Sequence, residues 1–263
     1  MQKTLQDKVA IVTGAGRGIG RGIAVEFAKA GAKVVVASRG TSSIDRTVGE
    51  IEAAGGTALG VPCNVADPAA IERTVAGAVE HFGRLDIMVN NAQSHGSAAN
   101  PAPMPALTPF EDFRDDHWEH TFETGPMASY RFMKAAFPYL KASGAGRVIN
   151  FGSFWGQIGY EGAVAYDAAK EAIRGLSRAA AREWGKYGIT VNVINPMLQS
   201  DSMDVFIRDH PDAAQAALSQ IPMRRFGDIF KDGGRFAVFL AGPDAAYLTG
   251  MTFQLDGGMF MTP

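Results

Sequence analysis

The segment Tyr166-Asp167-Ala168-Ala169-Lys170 sets a phenol and an ammonium four residues apart in a helical pattern. Positions i and i+4 share one helix face. A cation one turn from a phenol favours the phenolate and lowers an ordinary pKa of about 10. A phenol tuned in this way exchanges a proton with an alcohol or a carbonyl near neutral pH. Alone, the spacing is common and reads as a surface pair. Here Ser153 precedes it by thirteen residues, at the carboxyl end of the apolar run RVINFGS. In open α/β sheets that edge is where ligands bind, and a hydroxyl there can hydrogen-bond a substrate oxygen.

A second constellation opens the chain. The run VAIVTG leads into Thr13-Gly14-Ala15-Gly16-Arg17-Gly18-Ile19-Gly20 and then a helical pattern. A strand, a glycine turn and a helix N-terminus make an anion site, because free N–H groups and the helix dipole meet a pyrophosphate. Ile19 occupies the last slot of the G-x-G-x-x-G spacing, so the glycines that fit are Gly14, Gly18 and Gly20, as G-x-x-x-G-x-G. A site for NAD expects an acid at the end of the second strand, to hold the ribose 2′-OH. Ser38-Arg39 stand there instead. Arg39, with Arg17, suits a 2′-phosphate, which favours NADP over the alternative, NAD.

Elements that position these residues alternate along the chain. Short β-branched runs at 9–14, 33–38, 57–63, 85–91, 147–153 and 189–196 read as strands, with a last one at 251–258. Helical patterns lie between them. Continuous apolar strands alternating with helices predict a parallel sheet covered on both faces. The expected fold class is α/β: one doubly wound, Rossmann-like domain over 1–263. A Pro-rich loop at 94–111 is long for a βα connection, and such loops are often functional.

Composition narrows the function classes. The 263 residues carry a net charge of −2 with no basic run, which argues against a nucleic-acid partner. No apolar run reaches membrane-spanning length. Cys63 is the single cysteine, so an internal disulfide is excluded and a reduced, cytoplasmic setting is expected. His117 and His120 are one helical turn apart near Asp115 and Asp116; they read as a solvated helix face, and no metal site is expected. His95, in the long loop, could touch substrate, but it reads more simply as a plain loop histidine.

Together these motifs resemble those of the classical short-chain dehydrogenase/reductases. The matching stretches are TGAGRGIG (13–20), NNA (90–92), Ser153, Tyr166 with Lys170, GITVNVINP (188–196) and TGMTFQLDGG (249–258). The resemblance implies hydride transfer between a nicotinamide and a carbonyl compound or secondary alcohol. It makes Tyr166 the general acid/base, Lys170 the group that binds the nicotinamide ribose and lowers the phenol pKa, and Ser153 the holder of the substrate oxygen. It implies cofactor contacts at Gly14, Arg17, Gly18, Ile19, Gly20, Ser38, Arg39, Asn64, Val65, Asn90, Ala92 and Pro196, besides Tyr166 and Lys170. A substrate lid at about 198–227 and a homotetramer are implied too. Bulky residues such as Phe154, Trp155, Tyr160, Met203 and Phe206 are candidates for a hydrophobic substrate pocket.

Three positions depart from the family pattern. NNAG becomes NNAQ, placing Gln93 near the meeting point of nicotinamide ribose and substrate. Pro-Gly becomes Pro196-Met197, so Met197, like Gln93 and Trp155, is expected to contact substrate. The tetrad asparagine is replaced by Gly125, followed by Pro126, inside a long helical pattern over about 112–141. Proline leaves the Phe122 carbonyl without its helical donor. A kink is therefore expected there, with backbone carbonyls holding the water that in the family links the lysine to solvent as part of a proton relay. The alternative is a catalytically impaired, cofactor-binding protein.

Overall fold

The computed structural model describes residues 3–261. In chain order the first half comprises β1 (Val9–Thr13), α1 (Gly18–Lys29), β2 (Lys33–Ser38), α2 (Thr41–Ala53), β3 (Thr57–Pro62), α3 (Pro68–Phe82) and β4 (Ile87–Asn90). A small hairpin, β5 (His95–Gly96) with β6 (Pro101–Ala102), lies in the Pro-rich loop. Then come α4 (Asp115–Phe122), a π-helical turn (Glu123–Met127), α5 (Ala128–Ala142), β7 (Arg147–Phe151), the short α6 (Phe154–Ile158), α7 (Val164–Trp184) and β8 (Thr190–Pro196). The tail holds β9 (Leu198–Gln199), α8 (Asp201–Asp209), α9 (Pro211–Gln220), β10 (Gly227–Asp228), a second π turn (Ile229–Gly234), α10 (Arg235–Ala241) and β11 (Thr252–Leu255).

Seven strands form one parallel sheet in the order β11-β8-β7-β4-β1-β2-β3. The order reverses beside β1, so β1 and β4 part their crossovers to opposite faces and open a crevice at their carboxyl ends. Both faces are covered. One core packs Val12, Ile23, Phe27, Val34 and Ile149 under α1 and α10. The other packs Ile11, Val35, Ile71, Met88 and Phe132 under α3 and α5. The α/β, doubly wound expectation holds. The last strand is shorter than its motif, since Asp256 leaves the ladder to accept the amides of Gly258 and Phe260 (2.9 Å each).

The interrupted helix differs from expectation. Backbone angles stay helical from Phe122 (φ −70°, ψ −42°) through Ala128 (φ −60°, ψ −48°). The chain widens into a π turn over Glu123–Met127. A π turn pairs each carbonyl with the amide five residues on. That register matches the Phe122 carbonyl to the residue after Pro126, so the proline's missing N–H leaves no broken ladder.

Close packing of α1 on the second π turn sets the glycine loop above it. At Gly22 a Cβ would overlap the Ile229 carbonyl, a backbone atom that cannot turn aside. Gly22→Ala is expected to destabilise the fold by about 1–3 kcal/mol through overpacking. Urea unfolding would show it as a lower midpoint; an unchanged midpoint would mean that the Ile229 segment yields.

Candidate active site

One cleft of about 520 Å³ runs along the carboxyl rim of the sheet. The glycine loop forms its floor. Gly14 and Gly18 have positive φ (+67° and +53°), a region that favours glycine. At Gly14 a Cβ would also stand 2.8 Å from Asn91 Nδ2. The loop is braced from β4: the Thr13 hydroxyl accepts the amides of Asn91 and Ala92 (3.0 Å each), and Asn91 Nδ2 donates to the Thr13 carbonyl (2.9 Å). A helix N-terminus whose Gly18 amide already binds one anionic group, the Asp201 carboxylate (2.9 Å), with backbone close enough to touch a ligand, fits a pyrophosphate.

Arg17, Ser38 and Arg39 line one end of the cleft. Both arginines are exposed, and neither has an ion-pair partner among the described residues. Asn64 and Val65 flank the same end, Gly14, Gly18 and Ile19 the middle, and Ala92, Gln93, Tyr166, Lys170 and Pro196 the rest. The pocket candidates Phe154, Tyr160, Met203 and Phe206 do not line the cleft, nor do five residues expected to contact cofactor or substrate. Gly20 packs α1 against the loop, where a Cβ would come within 2.5 Å of the Gly14 carbonyl oxygen. Asn90 faces its neighbouring strand and donates to Asn150 Oδ1 (2.8 Å). Met197 is held by its backbone, donating to the Leu255 carbonyl (2.9 Å). Ser153 and Trp155 both contact Tyr166, which does line the cleft, the first by a hydrogen bond and the second edge-on at 5.9 Å.

At the chemical end, Ser153 caps α6, its hydroxyl accepting the Trp155 amide (3.2 Å). Trp155 stacks on Tyr160 (centroids 4.1 Å apart, 6° between planes) and meets Tyr166 edge-on at 5.9 Å. On the other side His95 meets Tyr166 edge-on at 5.3 Å. Lys170 lies on the Tyr166 ring (5.4 Å) and donates to the Phe151 carbonyl (3.0 Å).

Burial dominates the electrostatics. It pushes the Lys170 ammonium down from 10.5 to about 7. It pushes the Tyr166 phenol up, opposed by a hydrogen bond with the Ser153 hydroxyl and aided by the Asp167 charge. The expected lowering of the phenol by Lys170 is therefore not what governs the protein without nucleotide: a lysine this desolvated holds its charge weakly. His95 is held neutral, its pKa pushed down to about 3 by burial first, then by the charges of Lys170 and His120.

The whole chain has close counterparts. A family model described as Enoyl-(Acyl carrier protein) reductase matches residues 14–260. A 12alpha-hydroxysteroid dehydrogenase of a Clostridium species is 39% identical over 263 residues, covering 97% of this chain and 98% of the relative. A 3-oxoacyl-(acyl-carrier-protein) reductase of Vibrio harveyi is 36% identical over 260 residues, covering 98% and 99%. The crystal structure of a putative short-chain alcohol dehydrogenase from Sinorhizobium meliloti superimposes with a TM-score of 0.89 at 33% identity, covering 98% of each chain. The chain belongs to the short-chain dehydrogenase/reductase family. It is an NAD(P)-dependent oxidoreductase by that membership, and its glycine loop and cleft fit the dinucleotide.

Several residues of this short-chain dehydrogenase/reductase site escaped the sequence reading. His95 is buried against Tyr166 instead of sitting free in its loop. The Asp201 carboxylate accepts the Gly18 amide (2.9 Å) across 183 residues. Thr124, in the π turn, accepts the Ser94 amide (3.2 Å) and lies 2.9 Å from the Ser94 carbonyl. None has a local motif; each depends on a contact between distant segments. Among the described residues there is no cluster suited to a metal ion, and no helix is long and apolar enough to cross a membrane.

The Lys170 shift has a stability consequence. Below pH 7 the ammonium is charged in both states and its burial cost is full. Between about 7 and 10.5 the unfolded chain keeps a proton that the folded chain has released, so stability rises with pH. On the nucleotide-free protein, Lys170→Met is expected to raise the melting temperature at pH 6, and the advantage should shrink by pH 9. A difference constant across that range would show that Lys170 is not desolvated.

Proposed function

We propose that this enzyme prefers NADP and moves a hydride between it and a hydrophobic carbonyl compound or secondary alcohol. The carrying observation is the pair of free guanidinium groups, Arg17 and Arg39, at the cleft end where β2 offers Ser38 and no acid. A planar guanidinium suits a phosphate monoester, and a carboxylate placed there would repel it. An NAD-linked enzyme would want the acid. The missing tetrad asparagine suggests a weakly catalytic protein instead; Ser153, Tyr166 and Lys170, gathered at one rim, favour the enzyme.

When bound, the nicotinamide supplies or accepts the hydride. Tyr166 gives or takes the proton at its phenol oxygen, and Ser153 holds the substrate oxygen beside it. Lys170, with its charge restored by bound polar groups, would pull the phenol towards ionisation. The Trp155–Tyr160 stack offers a flat apolar wall. A ring alcohol or ketone, as the name of the Clostridium relative implies for that protein, suits such a wall. Residues 198–227, with α8 and α9, serve as the lid in this reading. A cytoplasmic homotetramer is the assembly this reading adopts from the family.

Fluorescence titration with NADPH and NADH tests the cofactor. Arg39→Asp is expected to weaken NADPH binding at least tenfold and to leave NADH binding within about threefold; an unchanged ratio sinks the arginine assignment. A panel of cyclic alcohols and ketones, followed by nicotinamide absorbance, tests the chemistry. Tyr166→Phe should cut kcat at least a hundredfold, as loss of a general acid/base does, while nucleotide affinity holds.

A further inference from the structure

Gln93 stands where the family pattern has glycine, and Gly125 where it has asparagine. These two departures meet in space. A Cβ built on Gly125 would stand 2.9 Å from Gln93 Nε2 and 3.2 Å from its Cδ. The amide thus occupies the volume into which any side chain at 125 would grow. The backbone on either side of Gln93 is held: Ala92 is tied to Thr13, and Ser94 is strapped to Thr124 in the π turn. Yet both Gln93 Nε2 and Gln93 Oε1 are buried with no partner among the described residues. A buried amide left unsatisfied costs about 1–3 kcal/mol per group. Fixed placement combined with unmet donors and acceptors marks a group kept for something else.

Its surroundings indicate what. Gln93 lines the same cleft as Tyr166 and Lys170. The Lys170 ammonium, with three donors, reaches the Phe151 carbonyl as its one acceptor among the described residues. The lysine has spare donors, the amide has a spare donor and acceptor, and both residues line the one cleft. The group that satisfies both must accept and donate, as a hydroxyl or a water molecule does.

We infer that Gln93 is a positioning residue whose amide, seated in the space Gly125 leaves open, holds a hydroxyl or a water molecule at the Lys170 end of the cleft. Gln93 and Gly125 then form one unit, in which the amide comes from the β4 side of the cleft instead of from the interrupted helix. This rests on nicotinamide binding, which the family supplies, and not on the NADP preference proposed above.

The test compares Gln93→Leu, Gln93→Asn, Gly125→Asn and the double substitution Gln93→Gly with Gly125→Asn. Native affinity for NADPH and NADH is read first, so an error in cofactor preference appears there and leaves the Gln93 comparison intact. Gln93→Leu removes unsatisfied polar atoms, so its melting temperature should hold or rise, while kcat falls at least fivefold. A matching loss of affinity for both nucleotides would identify a cofactor hydroxyl; a loss of kcat alone would identify water. Gln93→Asn should recover part of either loss. Gly125→Asn alone should be impaired by overlap with Gln93, and the double substitution should exceed both Gly125→Asn and Gln93→Leu in kcat. The inference is overturned if Gln93→Leu keeps kcat and both affinities within twofold. It is overturned equally if its melting temperature falls together with activity, or if the double substitution shows no recovery. Should Gln93→Leu not fold, the double substitution decides alone.

Discussion

Three buried side chains link β4, β7 and α7. Asn90 Nδ2 donates to Asn150 Oδ1, Asn150 Nδ2 donates to the Ser177 hydroxyl (2.8 Å each), and Ser177 donates to the Ile173 carbonyl (2.7 Å). Apolar packing alone tolerates a helix sliding along a sheet, because hydrophobic attraction has no direction. Hydrogen bonds in a dry interior do have one, and each broken member costs its full desolvation. The chain therefore selects one position of α7. Tyr166 and Lys170 lie on the first turns of that helix, so their distance from the rim of β4 and β7 follows from this link.

The parallel sheet then limits what else is possible. With both faces covered, its backbone is paired and its strands have no free surface except at their ends. At the carboxyl rim, β1 ends in the glycine loop, β4 in the segment carrying Gln93, and β7 in the segment carrying Ser153. Such a rim collects polar groups at the edge of a dry core. The result is a phenol, an ammonium and an imidazole, all desolvated, around one aromatic ring. Their charge states in the free protein follow burial more than mutual attraction. Bound ligand changes that balance by supplying the polar partners that the protein withholds.

How much of this was legible follows from how local each signal is. Strands and helices were readable because apolar periodicity is a property of neighbouring residues. The glycine loop and the Tyr166–Lys170 pair were readable for the same reason, with every contact confined to one turn or one loop. Asn90 was read as a cofactor contact, since position on a strand does not say whether a side chain points past the rim or across to the next strand. Asp201 on Gly18, and His95 on Tyr166, depend on how separate segments close over one another. The π turn was not foreseen, for a narrower reason. Proline's missing N–H was counted, but the wider register that can absorb it was not.

That register also explains why a glycine and a proline are tolerated together in a long helix. A glycine at a helix interior costs about 1 kcal/mol and a proline about 3. Much of the proline cost is the lost bond and the clash with the carbonyl four residues back. Widening one turn relieves both, because that carbonyl moves away from the ring and finds a donor one residue later. The Thr124 hydroxyl adds a contact to the His120 carbonyl (2.8 Å) at the mouth of the turn. Gly125 then has a purpose beyond backbone freedom, since it is not among the glycines of positive φ. What only glycine provides there is volume, and that volume is filled by the amide of Gln93.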